Sequence, residues 1–354
     1  MTIKSNIFKL VKKNDFKQIY KLIDNNKSFN VNIFNNNNIS LLEICINTNQ
    51  IKLIKLLLSR NIRIDILNSH NLSILDHIIR YNKIDIMKLF LEYNSNSIGS
   101  DILSVKGKFN IYPIHLAVLS MKLDILKLII KYSDNITYKN NRGENIMHLA
   151  ALSKKYKDIF KYLIKNHPQL YDFNKNGESP IHLAIIQNFP KDIIKLLVDN
   201  FDINLISGEK NIVPIFTAII ENNESIYNMI DKLNINFDVQ DYTGNNIFIY
   251  CIQNENYRYF DKLYNKINTS NFNFNLVNIF GQTILHAIFD NLTFLKYCIQ
   301  NKKLSLFIKN TNLNLQDNQG NSVFLLLCKY DLWDSYYHIL ESKPINAFLK
   351  NNKL

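Results

Sequence analysis

The residues from Asn140 to Ala150 (NNRGENIMHLA) return 34 residues later, from Asn174 to Ala184 (NKNGESPIHLA). Weaker copies run through almost the whole chain. Taking Asn145 as the anchor of its copy, the equivalent anchors are Ser40, Ser73, Tyr112, Asn145, Ser179, Val213, Asn246, Thr283 and Ser322. Successive anchors lie 33, 39, 33, 34, 34, 33, 37 and 39 residues apart. A fixed period of this length constrains the fold more than any other feature, because each copy must pack on its neighbours rather than close a core alone.

The positions around each anchor have a physical logic. Two residues before it stand Asn38, Asn71, Asn110, Gly143, Gly177, Asn211, Gly244, Gly281 and Gly320. All are Gly or Asn, the residues that most readily take positive φ. Five before it stand Asn35, Asn68, Gly107, Asn140, Asn174, Gly208, Asp241, Asn278 and Asp317, all turn formers. Most anchors are Ser, Thr or Asn, which cap helix N-termini. Where the anchor is Tyr112 or Val213, Pro113 or Pro214 follows, preset for the first helical position. Each copy therefore predicts a turn, a cap, a short helix and a second helix. The second helices are expected at 52–58, 84–91, 123–130, 158–164, 192–198, 226–230, 259–264 and 294–299, from apolar residues at i, i+3 and i+4.

This pattern resembles the ankyrin repeat, a unit of about 33 residues bearing a Thr-Pro-Leu-His-x-Ala hexapeptide. The nearest matches are Tyr112-Pro113-Ile114-His115-Leu116-Ala117, Asn145-Ile146-Met147-His148-Leu149-Ala150 and Ser179-Pro180-Ile181-His182-Leu183-Ala184. Thr283-Ile284-Leu285-His286 follows, with Ala287 one place early. The Val213 copy puts Phe216 in the His place. The Ser40 and Asn246 copies put Cys45 and Cys251 in the Ala place, and those at Ser73 and Ser322 are degenerate. The resemblance implies an all-α fold, an ankyrin-repeat solenoid of stacked helix-turn-helix units with β-turn tips. The expected organisation is a capping helical unit over 1–36, an array over 37–327, and a C-terminal cap and tail over 328–354, together one elongated domain. In the tail a helix is expected near Asp334 to Leu340. Trp333, Tyr336 and Tyr337 are expected over the last repeat, and Ile345, Phe348 and Leu349 follow Pro344. Three copies are longer, at 92–110, 264–280 and 300–317. These lengths read either as drift in surface loops or as loops of a binding face.

The four cysteines, Cys45, Cys251, Cys298 and Cys328, have no metal or disulfide spacing and suit a reducing, intracellular setting. The first residues lack a signal-peptide core, and no stretch reaches the ~18 apolar residues of a membrane span. The abundance of Asn, Ile and Lys looks like an AT-rich genome, of a protist, an intracellular bacterium or a large virus.

Chemistry is sparse. His115, His148, His182 and His286 form one column, one per copy. Helices in neighbouring units sit ~8–10 Å apart, too far for a shared metal with ligands at ~2 Å. The resemblance gives these histidines a structural role, bonding backbone near the turns, alongside Gly143, Gly177, Gly244, Gly281 and Gly320. No nucleophile-base arrangement or phosphate loop is legible, so no catalytic, cofactor or metal residues are expected and the chain reads as non-enzymatic.

The resemblance instead points to protein binding on the concave face. Seven residues after the anchor the central copies carry Leu119, Leu152, Ile186 and Ile220, flanked by polar residues in the outer copies. An apolar centre with a polar rim suits a partner protein. The alternative is that these side chains are half-covered by turns and simply pack. The turn tips add Arg142, Tyr242, Ile279 and Phe280 as anchors. A monomer binding a protein, in a virus or pathogen a host protein, is the expected arrangement. The formal charge of +12 raises nucleic acid or an anionic surface as the alternative partner. The excess is mostly Lys, read as spread over every second helix, with Arg only at Arg60, Arg63, Arg80, Arg142 and Arg258. That favours a solvated Lys surface.

Overall fold

A short helix survives only if its exposed first amides find acceptors, and this chain supplies one at almost every repeat. In the computed structural model all nine anchors stand immediately before a first helix. The side chains of Ser40, Ser73, Asn145, Asn246, Thr283 and Ser322 accept from amides in the first turn. Tyr112 and Val213 make no such bond, and Pro113 and Pro214 occupy the first helical position instead. The structure describes residues 3–64, 73–95, 102–104, 106, 111–206, 208, 211–267, 272–346, 349 and 351. Asn68, Asn71, Gly107, Asn110, Phe348 and most of the 92–110 insertion lie outside them.

The chain divides into two compact units, residues 1–171 and 172–354. The first contains α1 (Ile3–Lys12), α2 (Phe16–Asn25), α3 (Leu41–Asn47), α4 (Ile51–Ser59), α5 (Ile74–Arg80) and α6 (Ile84–Ser95). It continues with α7 (Pro113–Leu119), α8 (Leu123–Tyr132), α9 (Ile146–Ala151) and α10 (Lys157–Asn166). Each first helix packs on its own second helix and on the first helix of the next hairpin: α3 on α4 and α5, α5 on α6 and α7, α7 on α8 and α9. The core between them is mostly aliphatic, with Ile46, Ile54, Leu57, Ile78, Ile79 and Ile125 fully buried beside Phe90 and Phe160.

The second unit contains α11 (Pro180–Ile186), α12 (Lys191–Asn200), α13 (Pro214–Ile220), α14 (Glu224–Tyr227), α15 (Ile247–Gln253) and α16 (Tyr257–Ile267). Then come α17 (Ile284–Asp290), α18 (Leu292–Gln300), α19 (Leu304–Asn310), α20 (Val323–Lys329) and α21 (Tyr337–Leu340). First helices again stack in sequence, α11 on α13, α13 on α15, α15 on α17 and α17 on α20. Between repeats runs a bond that the sequence reading missed. Asn223, Asn256 and Asn291 each cap a second helix with Oδ1, on the amides of Ile226, Tyr259 and Phe294. Their Nδ2 groups donate backwards to Ile185, Ile219 and Ile252, at the end of the preceding repeat's first helix. One amide side chain thus satisfies orphan groups on two helices.

Three expectations need correction. The second helix expected over 226–230 stops at Tyr227, and a 3₁₀ turn takes Ile230–Lys232. Lys262 and Lys266 of the next repeat donate to the carbonyls of Tyr227 and Asp231 left open by that break. The extra length at 300–317 is not a loop but holds α19, whose Leu304, Phe307 and Ile308 are buried. Their i, i+3, i+4 spacing was a visible signal, passed over because the repeat allots only two helices to a unit. Of the aromatic residues expected over the last repeat, Tyr336 is half-buried, while Trp333 and Tyr337 are 41% and 54% exposed.

Candidate functional site

The tips are built by one side chain repeated. Asn35, Asn140, Asn174, Asp241, Asn278 and Asp317 each accept, through Oδ1, from the amides two and four residues on. For Asn278 these are Phe280 and Gln282, both at 3.0 Å. The same residue closes a β-turn by accepting at its carbonyl from the residue three on, as in Gly143 to Asn140 and Gly281 to Asn278. This double use explains why Asn and Asp, whose side chains mimic a turn, fill the place. The described residues two before each anchor, Asn38, Gly143, Gly177, Asn211, Gly244, Gly281 and Gly320, all have φ between 49° and 79°.

Within the second unit the tips are bonded to each other. The Ile279 amide donates to Thr243 O, and the Asn318 amide to Phe280 O. Neighbouring turns approach so closely that a Cβ on Gly244 would stand 2.7 Å from Asn278 Cα. Glycine is needed there for space as well as for φ. Tyr242, Ile279 and Phe280 project from these linked tips, each more than half exposed. Arg142 is exposed on the corresponding tip of the first unit.

The histidines sit behind the tips. Nε2 of His115, His182 and His286 donates to the carbonyls of Tyr138, Ile212 and Asn321, at 2.8, 3.1 and 3.0 Å. Because a carbonyl only accepts, Nε2 carries the proton and Nδ1 is the acceptor. The hydroxyls of Ser179 and Thr283 donate to Nδ1 of His182 and His286, both at 2.8 Å. His148 differs: its Nδ1 lies 2.9 Å from Asn145 Oδ1, which can only accept, and 3.3 Å from the Asn145 amide. Burial pushes His182 down to about 4 and also lowers His115 and His286. The rings of His115, His182 and His286 are neutral donors holding turns to helices. Glu43 takes the same place in the first repeat and pairs with His77 at 3.0 Å. Cys45 and Cys298 are buried, their thiols raised to about 12 by that burial. Among the described residues no group of three or more His, Cys, Asp or Glu could hold a metal. No helix among them is long and apolar enough to cross a membrane.

The apolar positions of the first helices divide by unit. Leu119 ends α7 and Leu152 follows α9, and both are half-buried. Ile186 ends α11 and Ile220 ends α13, 39% and 46% exposed. The two isoleucines line one open cleft of about 730 Å³ between the tip at 174–178 and the ends of α11 and α13. Thr217, Glu178 and Glu221 share its wall. The cleft is an apolar floor with a charged lip, Glu178 and Glu221 beside Lys175.

Comparison with known proteins agrees with the geometry. The family model for ankyrin repeats matches in three copies, over residues 96–174 and 114–207. An ankyrin repeat protein of Acanthamoeba polyphaga mimivirus is 28% identical over 288 residues, 74% of this chain. The match spans only 36% of that relative. The crystal structure of the ankyrin repeat domain of Bcl-3, a member of the IkappaB family, superposes with a TM-score of 0.50. It covers 60% of this chain and 92% of that domain at 17% identity.

Proposed function

Because the chain is an ankyrin repeat protein, we propose that it is a non-catalytic binding module that holds a partner protein on the concave side of its first helices and on its tips. The observation that supports this reading is the pair Ile186 and Ile220. Two aliphatic side chains at equivalent places of successive repeats stay exposed at the floor of one cleft. Evenly buried packing residues would not leave such a floor, and an apolar centre inside a polar rim is how partner surfaces are built. Glu178, Glu221 and Lys175 on the lip suit a partner segment with an apolar residue flanked by charged ones. Tyr242, Ile279 and Phe280 supply a second, aromatic contact on the tips. Stacked hairpins present these groups already ordered, so little conformational entropy opposes binding. A viral relative suits a partner that is a host protein.

The test is site-specific photo-cross-linking. A photoreactive residue at Ile186 or Ile220 should cross-link a discrete protein in extract of the native cell, and one at Lys195 on the outer side of α12 should not. Tip substitutions Ile279→Asp and Phe280→Asp should weaken that cross-link. No product from Ile186 or Ile220, or equal products from Lys195, would remove the cleft as the site.

A further inference from the structure

The positive charge is not spread evenly, contrary to the reading of the sequence helix by helix. Residues 1–171 hold 26 Lys and Arg against 12 Asp and Glu, a net +14. Residues 172–354 hold 16 against 18, a net −2. The whole excess of the molecule rides on the first unit.

There it has an order. On α4, α6, α8 and α10 a buried core residue is followed by an exposed lysine. These are Lys55 after Ile54, Lys88 after Met87, Lys127 after Leu126, and Lys161 after Phe160. The helices that carry them are neighbours. α4 packs on α6 and α6 on α8, and Lys127 of α8 lies 5.3 Å from the centre of the Tyr162 ring on α10. Lys131 and Lys165, four residues on in α8 and α10, are exposed as well. Against them stand Glu92, four residues on from Lys88 in α6, and Asp85, Asp124 and Asp158 in the first turns of α6, α8 and α10, where carboxylates suit the helix dipole. They leave the row with a positive balance. The same place in the second unit holds Lys195, Tyr227, Asp261 and Lys296. Cations around it are matched by acids, Arg258 with Glu224, Lys262 with Asp231 and Lys303 with Asp261.

We propose that the outer face of the first unit binds the phosphate backbone of nucleic acid without reading its sequence. Lys is depleted from protein-protein interfaces, where aromatic residues and Arg serve as anchors, so this row is unlike a protein-binding centre. Attachment to a membrane by an amphipathic helix needs an apolar face to insert. Here the apolar faces of α4, α8 and α10 are buried in the stack. A lysine is a compact point charge that pairs with phosphate from any direction. One lysine per hairpin at helix spacing, ~8–10 Å, meets a polyanion at intervals along its length. Sequence independence follows because Arg, the usual reader of base edges, is absent from the row.

The experiment uses the full chain and a labelled 30-nucleotide single-stranded RNA of mixed sequence, with anisotropy read from 50 to 300 mM salt. Binding should weaken steeply with salt. The variant Lys55→Glu, Lys88→Glu, Lys127→Glu, Lys161→Glu should lose more than ~10-fold affinity at the lowest salt. Its log–log salt slope should flatten by about 3, the amount expected for four lost contacts to a single strand. The milder Lys→Gln set, which adds no repulsion, should move the same way with an unchanged circular dichroism spectrum. A second-unit control, Lys195→Glu, Lys232→Glu, Lys296→Glu, Lys309→Glu, should cost less than ~3-fold. The proposal falls if RNA does not bind at 50 mM salt, or if the control weakens binding as much as the first-unit set. It falls also if polyglutamate or phosphatidylserine vesicles compete with RNA weight for weight.

Discussion

The two units share one hairpin plan and fill it with different material. Residues 1–171 pack mostly Ile and Leu, with Phe90 and Phe160 among them, and carry a large excess of positive charge. Residues 172–354 add a cluster of rings to an Ile and Leu core and carry nearly balanced charge. Phe248 there meets Phe237, Phe260, Phe272 and Phe307 with ring centres 5.5–5.9 Å apart. Phe216 stacks on Tyr250 at 4.5 Å. The difference teaches that the repeat fixes backbone and caps but leaves core chemistry and surface charge free to vary independently. An aromatic core has room for an added helix, because each ring offers a large face to cover. That is where α19 sits.

The largest test of this contrast is Phe307→Ala. The ring touches Phe248, Phe260, Tyr264 and Phe274, and its loss should cost about 3–5 kcal/mol. Hydrogen exchange should place the loss in α15 to α19. Unchanged protection there would mean that α19 is an ornament on the aromatic core.

Next comes pH. His182 is neutral in the fold with its value near 4, and an unfolded histidine titrates near 6.5. The unfolded chain therefore binds the extra proton first. The contribution is complete above pH ~6.5 and is lost as pH falls toward 4, about 3 kcal/mol in all. Between pH 7 and 5 the melting temperature should drop, and His182→Gln should flatten part of that drop. His115 in the first unit makes a sharper comparison. Its Nδ1 is buried without a partner, because Tyr112 stands where His182 has Ser179. Its substitution should therefore cost less than that of His182 at pH 7.

The smallest effect concerns a second left-handed position, nine residues after the anchor. It holds Asn49, Asn82, Met121, Asn188, Asn222, Glu255 and Asp331, all with positive φ. Met121 in the first unit and Glu255 in the second are poor choices for that region. Met121→Gly and Glu255→Gly should each stabilise by up to about 1 kcal/mol in chemical denaturation. Destabilisation by either would show that the side chain makes a contact worth more than the strain.

What could be read from the sequence was what is decided locally. A cap, an Asx turn and a left-handed glycine depend on residues within five of each other, so all nine anchors were legible. The left-handed place at Asn49 and its equivalents was equally local. It was overlooked because Met121, Glu255 and Asp331 hide the asparagine pattern. Burial of the four groove positions was not legible. Leu119 and Leu152 are half-covered and Ile186 and Ile220 are open, and how far neighbouring turns cover each one is set by tertiary approach. The charge segregation could have been counted, but it is a property of a half-chain and disappears when each helix is read by itself.

The bonded tips have a consequence for how such a chain can change. Because the main chain of the turns at Asp241, Asn278 and Asp317 is held by its own Asn or Asp and by a neighbouring turn, outward residues such as Tyr242, Ile279 and Phe280 can be exchanged like type in a locked frame. New specificities are then reachable by single substitutions that leave the line of type in place, and what the surface recognises can diverge faster than the scaffold that presents it.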